Sequence, residues 1–293
     1  MVIESLPQAL VNGILIGGIY ALMAVGLSLI YGVMRIINLA HGALILLGAY
    51  LTYWLFKLYG IDPFLSLLIT IPALFLLGLI LQKVLFSRST EDPMLSLLIT
   101  FGLAIVLENS ISLIWTADFR SIHPSYAATS WSAGGIIFPI TQVGGAIAAL
   151  VILGLLFLYM MKTDMGRATR ATIQNREAAQ LVGVNVAFVS LISFGLGAAT
   201  AAAGGSLLGM MYAFYPSLHY EWIGKLFCVV VLGGLGSILG ALVGAVILGL
   251  VESLVATYIG ASWAPLAAYL ILIFILVVRP EGLFGEPERK EVK

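Results

Sequence analysis

Apolar residues run along this chain in long unbroken blocks, with no sign of strand-like alternation. Residues 5–34, 36–56, 63–82, 178–220, 226–251 and 253–278 contain no Asp, Glu, Lys or Arg. A helix needs about 20 apolar residues to cross a bilayer, and these blocks meet that length. Inside lipid each segment must satisfy its own backbone hydrogen bonds, which selects helices. A membrane β-barrel would show short alternating segments instead. The pattern predicts spans near 9–31, 37–58, 63–82, 93–116, 142–161, 186–212, 224–238, 240–259 and 263–279. The predicted fold is all-α: a polytopic transmembrane helix bundle of about nine spans (eight to ten), forming one domain over 1–293.

Composition agrees. Of 293 residues 61% are hydrophobic and 10% charged, with mean hydropathy +1.10; soluble domains carry about 25% charged residues. Zero net charge offers no basic surface for nucleic acid. Cys228 is the only cysteine, which excludes internal disulfides and cysteine-rich metal sites. The N-terminus lacks the positive region of a cleavable signal peptide, so the first span is expected to act as its own insertion signal.

Lys and Arg favour the cytoplasmic side of short loops. With the polar stretch at 162–183 inside, the inner side receives Arg35, Lys83, Arg88, Lys162, Arg167, Arg170, Arg176, Arg279, Arg289, Lys290 and Lys293. Lys57, Arg120 and Lys225 fall outside. Eleven against three predicts the N-terminus outside and the C-terminus cytoplasmic. The Gly-rich centre at 222–259 admits a broken helix pair or a re-entrant hairpin, and an eight-span reading would put the N-terminus inside. Residues 118–142 read as the longest external loop, suited to an extracellular partner or to no ligand at all. Glu286 to Lys293 reads as a charged, frayed tail.

Among 32 glycines, Gly236, Gly240 and Gly244 are expected on one helix face, with Gly13/Gly17 and Gly205/Gly209 repeating the spacing. Such faces let membrane helices pack closely, and in a moving protein they could also slide. Leu107-Glu108-Asn109-Ser110 echoes Val251-Glu252-Ser253-Leu254, which is either a trace of duplication or chance.

Catalytic constellations are missing. His41, His123 and His219 are scattered, and Gly224-Lys225 is followed by Leu226 rather than by the Ser or Thr of a phosphate loop. No metal site or cofactor is expected. If ATP powers the protein, another chain binds it.

The remaining polar island is Lys162–Gly183. Asn175 suits an N-cap, Glu177 suits the first helical turn, and Gly183 suits a left-handed C-cap. That predicts a helix of about two turns, too short to stand alone. Ala178 and Ala179 would admit a partner closely, with Arg167, Arg170 and Arg176 around the contact. The plainer alternative is a basic loop obeying the charge rule.

Glu177-Ala178-Ala179-x-x-x-Gly183 resembles the EAA-type motif of ABC importer permeases. Gly166-Arg167-Ala168-x-Arg170-Ala171 with Asn175-x-Glu177-Ala178-Ala179-x-Leu181-x-Gly183 is similar to the branched-chain amino acid permeases of the LivH type. So are Gly18-Ile-Tyr20-Ala21-Leu22, Arg35-Ile-Ile-Asn38-Leu-Ala-His41-Gly42, Gly233-Gly234-x-Gly236-Ser237 with Gly240, and Arg279-Pro280-x-Gly282-Leu283-Phe284-Gly285. One departure is that no Leu-Pro follows Gly183, as it does in longer versions of the motif. The resemblance implies an inner-membrane permease subunit whose cytoplasmic loop 162–185 couples to ATPases through Gly166, Arg167, Arg170, Asn175, Glu177, Ala178, Ala179 and Gly183. It also implies a second, homologous permease chain, two ATP-binding cassette subunits, an extracytoplasmic binding protein, and leucine, isoleucine or valine as substrate. Relatives carrying urea or amides leave the substrate open. A secondary transporter without ATPases stays a further alternative.

Polar groups within the spans are the candidate pathway residues. Glu108 and Glu252 line the route near a substrate ammonium, or they hold helices together, with Lys225 a possible partner for either. Asn38 and His41, three apart, are expected to share a helical face between Gly32 and Gly42, where the helix could break.

Overall fold

The computed structural model describes residues 6–86 and 93–285. Arg88 and the charged tail from Glu286, with Arg289, Lys290 and Lys293, lie outside the described residues. The long helices are α1 (Leu6–Met34), α2 (His41–Tyr59), α3 (Pro63–Leu81), α4 (Pro93–Trp115), α5 (Ile140–Lys162), α8 (Val186–Leu208), α10 (Ile238–Tyr258) and α11 (Ala264–Val278). Between them lie α6 (Asp164–Gln174), α7 (Arg176–Leu181) and α9 (His219–Gly233). α3 continues through a π-helical turn, Gln82–Phe86. Eight helices among the described residues are long and apolar enough to cross a membrane. α11 reaches that length with the 3-10 turn Ala261–Trp263 before it, whereas α9, the seventh expected span, has only 15 residues.

α1 and α8 form the centre. Their apolar windows are 78% and 72% buried, against 6% for the peripheral α11. α1 packs antiparallel on α10 through small residues, and a Cβ at Gly13 would lie 2.7 Å from the Leu250 Cα. α8 meets α1, α2 and α3. At Gly205 the backbones of α8 and α2 approach so closely that a Cβ would overlap the Ile45 carbonyl. Hydroxyls stitch the same seam: Thr52 donates to Ser206 at 2.8 Å and Ser66 donates to Thr52 at 3.0 Å. Without a hydrophobic force between helices in lipid, close packing and such bonds hold the bundle together.

Two stretches of buried backbone are not helical, the first of them where Gly32 and Gly42 suggested a break. The span expected at 37–58 begins only at His41. Residues 35–40 double back along α1, so that His41 Nε2 donates to the carbonyl of Met23, well inside that helix, at 3.1 Å. Asn38 and His41 therefore share a turn, His41 N–H to Asn38 carbonyl at 3.2 Å, rather than a helical face. The helix expected over 186–212 stops at Leu208, and the chain returns through an irregular segment to start α9 at His219. There α9 lies against α2: a Cβ at Gly42 would sit 2.9 Å from the Ile223 Cβ. Both broken spans thus begin side by side inside the bundle. Irregular backbone at such depth survives because protein buries it, and Ile36, Asn38, Ala40 and His41 are all buried.

Gly236 is a second correction. It sits in the α9–α10 turn with φ +82°, ahead of α10, so only Gly240 and Gly244 share the helical face, turned to Gly233 and Val229 of α9. The loop between α4 and α5 is folded. β1 (Ser130–Ala133) and β2 (Ile136–Pro139) pair antiparallel around Gly134-Gly135, both at positive φ as a tight hairpin turn requires. This hairpin is the departure from an all-helical chain. Gln8 of α1 bonds both backbone groups of Ile137. Tyr126 donates to Asp62, the cap of α3, at 2.8 Å. Burial, and then that bond to Asp62, hold the Tyr126 hydroxyl well above the usual phenol range.

Candidate functional site

The polar island folds as a short arm at the end of the bundle opposite the hairpin. Thr163 caps α6, its hydroxyl accepting from Gly166 N–H at 2.9 Å. Gly166 packs directly on the last turn of α5, where any Cβ would overlap the carbonyls of Tyr159 and Met160. Arg167 pairs with Asp164 on the exposed side, a contact worth little in water. Arg170 is exposed beside it.

α7 carries the two caps expected from the sequence. Asn175 Oδ1 accepts from Ala178 N–H at 2.9 Å. At the other end Gly183, φ +88°, donates to Gln180, and Val184 donates to Ala179, both at 3.0 Å. These paired bonds are the Schellman pattern, which needs a residue at ease in the left-handed region. The helix has six residues, slightly shorter than expected. Ala179 is buried, while Glu177 and Ala178 face outward. Leu181 and Val182 are 89% and 78% exposed, two apolar side chains displayed at the tip of the arm.

The arm is tied to the transmembrane helices. From α6, Ile173 reaches within 3.3 Å of the place a Cβ would occupy on Gly32 near the end of α1. The Gly236 carbonyl of the α9–α10 turn meets the same point at 3.3 Å. α6, which leads directly into α7, thus packs on α1 where that turn meets it.

The four candidate pathway residues do not form one cluster: Asn38 and His41 share the turn before α2, while Glu108 and Glu252 make separate contacts to α9. Asn38 is fully buried, and its side-chain amide has no hydrogen-bond partner among the described residues. His41 is spent on the α1 carbonyl. Glu108 does not meet Lys225; it accepts from His219 Nε2 at 3.1 Å, fastening α4 to the start of α9. Glu252 is the acid that meets Lys225, at 3.3 Å, and its other oxygen accepts from Tyr20 at 2.8 Å. Lys225 also pairs with Glu221 at 3.0 Å. Both intramembrane acids thus reach α9, from opposite neighbours. Sequence reasoning passed over Glu221, although Glu four residues before Lys is the favourable helical order and was available as a signal.

Known proteins resemble the chain along almost its whole length. The family described as branched-chain amino acid transport system / permease component matches residues 9–278. The high-affinity branched-chain amino acid transport system permease protein LivH of Salmonella typhimurium is 32% identical over 301 residues, covering 97% of each chain. BraD of Pseudomonas aeruginosa, of the same description, is 29% identical over 299 residues and 97% of each chain. The probable branched-chain amino acid transport permease protein LivH of Methanocaldococcus jannaschii is 28% identical, covering 95% of this chain and 92% of its own. Eight apolar helices of spanning length and a family match over nearly all of them lead to one conclusion: the chain is a multi-pass membrane protein that belongs to the permease-component family of branched-chain amino acid transport systems.

Proposed function

We propose that this chain is the permease subunit of an ATP-driven importer of leucine, isoleucine and valine in the cell (inner) membrane. It forms half of the pore with a second, homologous permease. Two ATP-binding cassette subunits sit below it and an extracytoplasmic binding protein delivers substrate above. The N-terminus faces outward and the loop 162–185 faces the cytoplasm. ATP is hydrolysed on the partner chains, and this subunit is not an enzyme.

The observation that carries the reading is α7. A helix of six residues, capped at both ends and displaying Leu181 and Val182 to solvent, has the form of a rigid plug for another protein's groove. Isolated, so short a helix is not stable, so its order comes from its caps and its seat on α6 and α8. Its link through Ile173 to Gly32 supplies a path from an ATPase stroke to the transmembrane helices. A self-sufficient carrier has no use for such an arm.

Reconstitution into vesicles with two ATPases, the second permease and the binding protein tests this. Leucine uptake is expected only with ATP on the ATPase side and binding protein on the other. Uptake by this chain alone, driven by an ion gradient, would replace the importer with a secondary carrier.

A further inference from the structure

The ionisable groups on α9 fall into two sets. His219 and Glu108 close on each other. The second set is left open on one side. Glu252 is buried, held by Tyr20, and grips Lys225. Lys225 reaches across to Glu221, whose side chain is 45% exposed against 14% for the lysine. Two acids therefore share one base, one acid anchored inside and the other on the surface of α9. The Tyr269 hydroxyl of α11 packs at 2.5 Å from the place a Cβ would take on Gly224, and it lies within electrostatic reach of Glu221 and Lys225.

This pair does not lie beyond the apolar region. Lys225 bonds Glu252, which sits six residues before the end of α10 at Tyr258, within the spanning helix. A charged group turned to lipid at such a place is expensive, so these groups face protein or a watered path. Glu221, the half-exposed acid at the edge of the group, favours the path.

We propose that this face of α9 lines the translocation route and takes the charged end of an α-amino acid. Glu221 accepts from the α-ammonium, and Lys225 donates to the α-carboxylate. Glu252 and Tyr20 keep Lys225 in place while its bond to Glu221 opens. One ion pair is exchanged for two, and the side chain of the substrate takes no part. A neutral solute such as urea or a simple amide offers nothing to the separated charges, so the site selects zwitterions. This rests on the importer reading and names the group that its substrate would meet in the membrane.

The test uses the complete complex in vesicles with Glu221→Gln. The Lys225–Glu252 pair remains, so wild-type assembly and binding-protein-stimulated ATP hydrolysis are expected, with leucine uptake lowered about tenfold or more by loss of a charge-assisted bond. Glu221→Asp should recover part of it. Wild-type uptake by Glu221→Gln overturns the proposal. A wild-type complex without ATP-dependent leucine uptake would instead remove the importer reading, and this proposal with it. Glu221→Cys, in a Cys228→Ser background, gives a second measure. A charged, membrane-impermeant thiol reagent should modify it, and more slowly during turnover with leucine. No modification means that water does not reach this face, and overturns the proposal. Failure of all three Glu221 variants to assemble would show that the carboxylate serves the bundle, with the same consequence.

Discussion

Replacing Glu177 by lysine is expected to abolish amino-acid uptake while the chain still inserts and the binding protein still binds its ligand. Glu177 faces outward in the first turn of α7. Reversing a charge there works against the helix dipole by about 0.3–1 kcal/mol. That is too little to unfold a helix held by Asn175, by the Gly183 cap and by its seat on α6 and α8. Loss of one partner in a buried charged contact between proteins costs more, about 2–5 kcal/mol. The lesion is therefore expected at the proposed contact with the ATPase. Leucine uptake and stimulated ATP hydrolysis, measured on the same vesicles, should fall together. Normal transport by this variant would remove α7 from the coupling path.

Gly205→Leu should have an equally large effect by a different route. The backbones of α8 and α2 touch at this position, so a side chain has no rotamer that avoids the Ile45 carbonyl. Gly48 makes the reciprocal contact on Ala202, and the Ser66–Thr52–Ser206 hydroxyl chain spans the same gap. Overpacking a core typically costs about 1–3 kcal/mol, and backbone separation adds the loss of those bonds. The variant is expected to aggregate in detergent under conditions where the native chain elutes as one species. Gly102→Leu in α4, where a Cβ meets nothing within 4 Å, should elute unchanged. Equal behaviour of the two would show that the α2–α8 seam is not what holds the bundle.

How much of this was legible depended on the range of the physics involved. Lipid solubility is a property of composition, so the apolar blocks gave the helices directly. Helix caps are local chemistry, and Asn175 and Gly183 announced both ends of α7 from the sequence. The break at 35–40 was foreshadowed by Gly32 and Gly42, which bracket Asn38 and His41, whereas the break after Leu208 left almost no trace. A backbone that leaves a helix inside the bundle keeps apolar side chains, and only its hydrogen bonds change. α9 starts at His219, ahead of the expected 224, because Glu221 interrupts the apolar run, and the helix tolerates it through Lys225 and Glu252. That pairing joins residues distant in sequence, as does His219 with Glu108, so neither could be read from spacing. Gly236 was assigned to a helix because its interval to Gly240 fits one, whereas its positive φ serves the turn before it.

The most direct test of the coupling claim places a single cysteine at Leu181, in a Cys228→Ser background, and adds a short crosslinker to the assembled complex. The account predicts a covalent product between this chain and an ATPase subunit, with a yield that changes when ATP is trapped. A cysteine at Leu181 that reacts freely with soluble reagents in the transport-active complex, yet never joins the ATPase, would contradict it.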